Sequence, residues 1–380
     1  MASIKLGIIG CGNISDAYFK GAARSSIIAV KACTDLLPEA AKSKAETYGV
    51  AAASMEGLLD DPEIDIVINL TVPMAHADVT QQVIAAGKHV YSEKPFAVTV
   101  AEARPLVEAA AAKGVRIGSA PDTFLGAGHQ AVRRAIDKGT VGQIVAGAAT
   151  FAGPGMESWH PNPGFFFRKG GGPVLDIGAY PVTQLVNCLG PVASVTAQAS
   201  KGRTSRMVTS EPRRGEVIEV EVPTTVNAVL LFESGANVSV TLSWDMWKHN
   251  RLPIELYGTE GSLLNPDPNF FGGTPRFTEK GGDWQDLSID AHPFGIPNRE
   301  MRSGAMVADY RIIGVLDMAE AIRAGRPHRA NGDLALHVLE VLGAMEASAL
   351  EERHIRIESR CERPAVVPFG EGEEVFSRAA

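Results

Sequence analysis

The chain has 380 residues, a length that suggests about two domains. Its 45% hydrophobic and 21% charged residues are those of an ordinary soluble globular protein. The net charge of −8, from 36 basic and 44 acidic residues, argues against a broad phosphate-binding surface and so against a nucleic-acid partner.

Ile4–Gly10 is a short apolar run ending in glycine, which predicts a strand buried on both faces of a parallel sheet. Ile14–Ala23 has helical composition, and Ile28–Thr34 reads as a second strand. Pro38–Tyr48 reads as a helix opened by its proline and stopped by Gly49. Ile64–Leu70 is a third strand, Ala75–Ala86 a helix closed by Gly87, and His89–Ser92 a short strand. Thr99–Lys113 is a helix closed by Gly114, and Val115–Ser119 a further strand. Strands separated by helices in this way predict right-handed βαβ crossovers and a parallel sheet.

After Pro121 the pattern changes. Gln130–Lys138 predicts a helix, Ile144–Phe151 a strand, and Pro173–Leu189 a helix after a Gly/Pro/aromatic stretch. From Val192 to Leu264 apolar and polar residues alternate, as in an antiparallel sheet, with a hairpin turning at Ser234–Gly235. Asn265–Pro297, rich in Gly, Pro and Asp, reads as loop, and Met306–Ala324 and Leu334–Leu350 as closing helices. The expected class is α/β: an N-terminal domain over residues 1–122 with a parallel sheet, then an α+β domain over 123–380 with an open, mainly antiparallel sheet. The cysteines, Cys11, Cys33, Cys188 and Cys361, form no CxxC pair, so no metal site is expected, and free thiols fit a reducing cytosol. No targeting segment and no apolar run of bilayer length is visible, so the expectation is a cytoplasmic chain without a membrane partner.

The first chemical signal is Gly7-Ile8-Ile9-Gly10-Cys11-Gly12-Asn13-Ile14-Ser15. Gly10 can make the tight turn that leaves the strand, and Gly12 lets backbone approach a pyrophosphate. The amides of Asn13 and Ile14 would open the next helix toward that anion. Ser15 replaces the third glycine of the GxGxxG fingerprint, a mild departure because serine is small. Alone, the motif equally describes a plain strand–turn–helix. Its position after a buried strand, and Asp35 ending the second strand 25 residues after Gly10, favour a Rossmann dinucleotide site. A carboxylate there accepts from both ribose hydroxyls and repels a 2′-phosphate, favouring NAD over NADP. Asp35 also reads as a turn residue before Leu36-Leu37-Pro38.

The second signal is Glu93-Lys94-Pro95 at the end of another strand, on the sheet edge where open α/β sheets bind ligands. Pro95 fixes the turn that aims Lys94; the alternative for Lys94 is a solvated surface lysine. Gly7–Ile14, Thr71-Val72-Pro73 with His76, Gly87-Lys88-His89-Val90 and Glu93-Lys94-Pro95 together resemble the Gfo/Idh/MocA oxidoreductase family, relatives of glucose–fructose oxidoreductase and inositol dehydrogenase. Gly170-Gly171-Gly172-Pro173-Val174-Leu175-Asp176-Ile177-Gly178-Ala179-Tyr180 resembles that family's GGGxLxDxGxH segment. The resemblance implies that Lys94, Asp176 and Tyr180 converge on the substrate beside the nicotinamide. Tyrosine stands where many relatives have histidine, which looks like the branch containing sugar dehydrogenases. Gln184 is a second departure, at a position where many relatives carry an acid. The resemblance further implies cofactor contacts from Thr71, Pro73, His76 and Glu93, and a homodimer or homotetramer.

Oxidising an alcohol with NAD removes a hydride from carbon and a proton from oxygen, so a general base must reach that oxygen. The reference pKa of tyrosine, about 10, is high for a base near neutrality, and a neighbouring ammonium such as Lys94 stabilises the phenolate. Asp176 and Tyr180, four apart, would share one helix face. Tyr180 equally reads as a core aromatic, Asp176 as a helix cap, and Lys94 as the acid/base itself. Trp159, His160, Asn162 and Arg168 suit polyol binding, a ring covering the sugar face while polar groups read hydroxyls, or else an interface. Asp122, just past the last strand of the first domain, is a candidate to face the nicotinamide pocket, with an interdomain hydrogen bond as its alternative, and His76 too has a structural alternative. His337, Trp244 and Trp247 read as packing.

The expected function is an NAD-dependent dehydrogenase acting on a small-molecule carbohydrate, an aldose at C1 first. An inositol, polyol or glycoside C3 dehydrogenase, an NAD-retaining glycoside hydrolase and a non-catalytic NAD-binding regulator are the alternatives.

Overall fold

The computed structural model describes residues 3–368 except Ala291 and Arg302. It begins with β1 (Ile4–Ile9), α1 (Ser15–Ala23), β2 (Ile28–Thr34), α2 (Pro38–Tyr48), β3 (Ala51–Ala52) and α3 (Met55–Asp60). β4 (Ile66–Asn69), α4 (His76–Ala85), β5 (His89–Ser92), α5 (Val100–Lys113) and β6 (Ile117–Ser119) follow. The six strands are all parallel, in the order β3-β2-β1-β4-β5-β6. β1 and β4 are almost wholly buried because helices cover both sheet faces, which is why their sequences are unbroken apolar runs. Thr99 and Glu102 form a capping box at the start of α5, and Gly49 and Gly114, both with positive φ, end α2 and α5. The short β3 and α3 lie in a stretch that carries no extended periodicity for a sequence to display.

The chain continues with α6 (Ala127–Asp137), β7 (Ile144–Ala152), α7 (Gly172–Ile177), α8 (Ala179–Leu189) and β8 (Val192–Ser200). β9 (Ser205–Met207) and β10 (Val217–Glu219) form a small ribbon, followed by β11 (Thr225–Phe232), β12 (Asn237–Ser243), β13 (Ile254–Gly258) and β14 (Gly261–Asn265). Then come β15 (Arg276–Glu279), β16 (Gln285–Asp286), β17 (Arg299–Glu300), β18 (Met306–Val307), α9 (Ile313–Ala324), α10 (Gly332–Glu351) and β19 (Ile355–Arg356). A nine-stranded sheet runs β16-β15-β14-β13-β7-β12-β11-β8-β19, antiparallel except for the β7–β12 pair. The hairpin of β11 and β12 turns at Ser234–Gly235 as expected.

Three expectations are corrected. The stretch 265–297 is not all loop, because β15 and β16 extend the sheet edge by antiparallel pairing. The helix expected over Pro173–Leu189 is broken at Gly178 into α7 and α8. Pro181 has no N–H to donate to the Ile177 carbonyl, and a Cβ at Gly178 would meet the Val174 carbonyl oxygen at 2.3 Å. The helix expected from Met306 starts at Ile313, after β18.

The late helices return to the first sheet. Arg116 donates to the carbonyls of Ala321 and Arg326, Arg323 to that of Ile27, and Gly118 bridges to Asn331. Asp122, just past β6, accepts from Gly314 N at 2.8 Å, satisfying an otherwise unpaired amide in the first turn of α9. No helix among the described residues is long and apolar enough to cross a membrane.

Burial pushes the Asp122 carboxyl up to about 6, against the Gly314 amide. A carboxyl raised in the folded state contributes stability at low pH that is lost as pH rises through that value. Asp122→Asn keeps an acceptor for Gly314. It is therefore expected to gain stability relative to the wild type between about pH 4 and 7, by up to about 3 kcal/mol. Urea unfolding at the two pH values checks this, and identical pH dependence of the two proteins would refute it.

Candidate active site

Gly10 has φ +101, and a Cβ on it would lie 2.6 Å from the Leu70 carbonyl, so glycine is required where the ends of β1 and β4 converge. At Gly12 an added Cβ meets nothing within 4 Å and would project into open space. That space is a cavity of about 1040 Å³ along the carboxyl ends of the parallel strands, lined by Gly10, Gly12, Asp35, Leu36, Leu37, Thr71 and Val72 among others. Asp35 Oδ2 accepts from Cys11 N at 2.7 Å and Oδ1 from Leu37 N at 2.9 Å. The carboxylate thus has the turn role foreseen as its alternative and at the same time lines the cavity. The cavity walls carry Leu36, Leu37 and Val72, three large apolar side chains left exposed. A glycine cradle, an acceptor at the end of β2 and apolar walls fit a dinucleotide. Asn13 and Ile14 lie at the start of α1, and Ser15 Oγ donates to the Gly12 carbonyl at 2.7 Å.

A second cavity, of about 310 Å³, is lined by Ile14, Thr71, Pro73, His76, Glu93, Lys94, Phe166, Asp176, Tyr180 and Arg311, with others. His76 is buried, its Nδ1 2.7 Å from the Pro95 carbonyl and its Nε2 3.0 Å from the Thr71 carbonyl. Burial pushes the imidazole pKa down, opposed by these carbonyls. Each ring nitrogen faces a backbone carbonyl, so His76 sits between the loop after β4 and the Lys94–Pro95 turn. Glu93 accepts from the Tyr18 hydroxyl at 2.9 Å and from Lys94 N at 3.0 Å, tying that turn to α1. Asp122 lies apart from this cavity, on the Gly314 amide.

Lys94 Nζ donates to Asp176 Oδ1 at 2.7 Å and to the Asp176 carbonyl at 2.8 Å, next to the break between α7 and α8. It also lies over the Tyr180 ring, 5.3 Å from the centroid. Burial works against the ammonium, but Asp176 and Tyr180 outweigh it and hold its pKa above the usual lysine value. The structure therefore brings Lys94, Asp176 and Tyr180 together.

A third cavity, of about 370 Å³, shares Lys94, Phe166, Asp176, Tyr180 and Arg311 with the second and adds Phe151, Met156, Trp159, Trp244 and Asn269. Of the loop candidates, only Trp159 lines it. His160 stacks edge-on behind, against Trp159, Phe165 and Phe166. Asn162 is exposed and bonded to Arg213, and Arg168 is exposed. Trp244 is buried in the cavity wall, whereas Trp247 is exposed beside Arg203 and packs in no sheet. His337 packs as expected, accepting from Val192 N. Gln184 is buried and donates to Asn265 Oδ1.

Arg206 organises the aromatic wall. Its guanidinium bonds the Pro154 and Trp244 carbonyls and the carboxylates of Glu157 and Asp245. Arg206, Arg311, Phe151, Phe166 and Asn269 escaped the sequence reading because only the fold brings their separate segments together. Among the described residues no cluster of His, Cys, Asp and Glu could hold a metal ion.

Residues 4–120 match the family described as oxidoreductases with an NAD-binding Rossmann fold, and residues 129–264 match the GFO/IDH/MocA C-terminal domain. The chain is 29% identical to a 1,5-anhydro-D-fructose reductase of Ensifer adhaerens, across 68% of this chain and 74% of that protein. It is 24% identical to a levoglucosan dehydrogenase of Pseudarthrobacter phenanthrenivorans, across 70% and 74%. The fold matches a crystal structure of an NAD-binding oxidoreductase from Klebsiella pneumoniae with a TM-score of 0.81 at 24% identity, across 94% of this chain and all of that one. The chain belongs to the Gfo/Idh/MocA family and is an oxidoreductase built on an NAD-binding Rossmann fold.

Proposed function

We propose that this protein is an NAD-dependent dehydrogenase that oxidises a hydroxyl of a sugar or polyol, an aldose at C1 being the first candidate. The observation that carries the proposal is the meeting of two cavities at Lys94, Asp176 and Tyr180. One continues from the glycine loop and suits a nicotinamide. The other has the aromatic walls and few convergent polar groups that suit a sugar ring. The relatives named above act on anhydro sugars by their names, which supports a carbohydrate substrate.

Bound NAD supplies the hydride acceptor. The chain's own residues bind and orient the substrate and take its proton. Asp176 accepts from a substrate hydroxyl while its other oxygen stays on Lys94. The third N–H of Lys94 is available to the reacting oxygen. An ammonium so stabilised by its neighbours is a poor proton acceptor, which favours Tyr180 as the base over Lys94. The Asp35 carboxylate at the end of β2 favours ribose hydroxyls over a 2′-phosphate, hence NAD over NADP.

Incubation with NAD and a panel of aldoses, inositols and glycosides is expected to produce NADH absorbance with at least one of them, and silence across the panel would sink the proposal. Tyr180→Phe is expected to lower turnover by roughly 10² to 10⁴-fold while NADH affinity holds. Unchanged turnover removes Tyr180 from its role. Gly12→Val is expected to weaken NADH binding by about tenfold or more, ~1.4 kcal/mol. Its thermal midpoint should be preserved, since a Cβ there meets no protein atom within 4 Å. Titration calorimetry and a melting curve read the two effects separately.

A further inference from the structure

Arg311 lies in the irregular segment just before α9, far in sequence from every motif described above. Its side chain nevertheless lines the nicotinamide-side cavity, the aromatic cavity and a third cleft beside α1. Arg311 Nη1 donates to Asp309 Oδ1 at 2.8 Å and Nη2 to Asn269 Oδ1 at 3.1 Å, so the guanidinium is fixed from behind.

The backbone there is held under strain. Ile312 has φ +105, a left-handed conformation that a β-branched residue adopts only when its surroundings impose it. Those surroundings are visible. Ile312 is buried against Gly21 of α1, where an added Cβ would lie 2.5 Å from Ile312 Cγ2. The Asp122–Gly314 bond fixes the chain two residues further on.

The two cations near Tyr180 differ in where they act. Lys94 spends two of its three N–H groups on Asp176 and meets Tyr180 over the ring. Arg311, held by Asp309 and Asn269, shares both cavities with Tyr180; burial opposes the guanidinium charge, and Tyr180 and then Asp309 overcome it, holding the group above its ordinary value. The other charged side chains lining these cavities are Asp176 on α7, held by Lys94, and Glu93 at the end of β5, which accepts from Tyr18.

Granting that Tyr180 is the proton acceptor, we propose that Arg311 is the counter-cation of its oxygen, a positioning residue that holds the phenol oxygen ready for the substrate proton while Lys94 and Asp176 orient the substrate. In the oxidation, the substrate C–H bond breaks with its electron pair passing to the nicotinamide. The substrate O–H proton passes to the Tyr180 oxygen and thence to solvent. Arg311 offsets the negative charge on that oxygen before the transfer and exchanges no atom.

The test uses the full-length protein with Arg311→Met and Arg311→Lys. Arg311→Met is expected to lower kcat by about 10²-fold, the loss seen when one fixed donor to a reacting oxygen is removed. KM for the sugar and NADH affinity should change little. Added ethylguanidinium should restore kcat, and Arg311→Lys should retain an intermediate value. A second arm needs no turnover. In protein labelled with ¹³Cζ-tyrosine, the Tyr180 resonance, assigned with Tyr180→Phe, should move in Arg311→Met and return when ethylguanidinium is added. An unmoved resonance, or an unchanged kcat, overturns the proposal. If Arg311→Met does not fold, Arg311→Gln, which keeps a donor for Asp309 without the charge, carries both arms. A wild-type enzyme inactive on every sugar would refute the dehydrogenase function, and the resonance would still decide the role of Arg311.

Discussion

The ion pair between Lys94 and Asp176 is the constraint around which the rest of the site is arranged. Lys94 comes from the turn after β5 and Asp176 from the end of α7, so the pair joins the parallel sheet to the helices that cover the mixed sheet. Two partly buried charges lose much of their hydration, and the attraction repays that only where the remaining hydrogen-bonding capacity is used. Here the second bond, from Lys94 Nζ to the Asp176 carbonyl, uses it. The break in the helix at Gly178 and Pro181 therefore serves the site as well as the fold. It lets α8 set off separately with Tyr180 in its first turn, while Asp176 stays on the lysine.

Around this pair, side chains that line the two cavities are held in place by hydrogen bonds to their neighbours. His76 sits between the two loops that flank the second cavity, with a backbone carbonyl at each ring nitrogen. Glu93 ties the Lys94 turn to Tyr18 of α1. Arg206 gathers the Pro154 and Trp244 carbonyls with Glu157 and Asp245, fixing the loop that carries Met156 and Trp159. Supporting contacts of this kind keep a reacting constellation within the narrow geometry that chemistry requires.

These contacts bear on what the sequence made legible. β2 and α2 occur at their expected limits, since their signals are local: an apolar run, a proline at the first helical position, a glycine at the end. Gly10, Gly12, Asp35 and Lys94 were legible because each sits next to a strand end in a motif of fixed spacing. Asp122 left two readings open, and only the three-dimensional return of α9 reveals the Gly314 amide as its partner. Arg206 had no local signal and Arg311 only Asp309 two residues before it, because their other partners lie tens of residues away. β15 and β16 were hidden differently: they are short strands at the sheet edge in a Gly-rich segment, formed by pairing of β15 onto β14 and β16 onto β15 and not by their own periodicity.

The return of α9 carries a further consequence for how the site is assembled. Its first turn is held by Asp122 at the end of β6, and the residues immediately before it supply the strained Ile312 and then Arg311. The carboxyl end of the parallel sheet thus fixes a residue that reaches the aromatic cavity of the other half of the molecule. A buried carboxyl whose charge is opposed by its surroundings, and a β-branched residue with positive φ, are both unfavourable locally. They persist because docking α9 onto the first sheet buries Ile313, Val315, Leu316 and Met318, whose apolar area outweighs two such local costs. The packing of one helix is therefore converted into the placement of a single cation beside Tyr180.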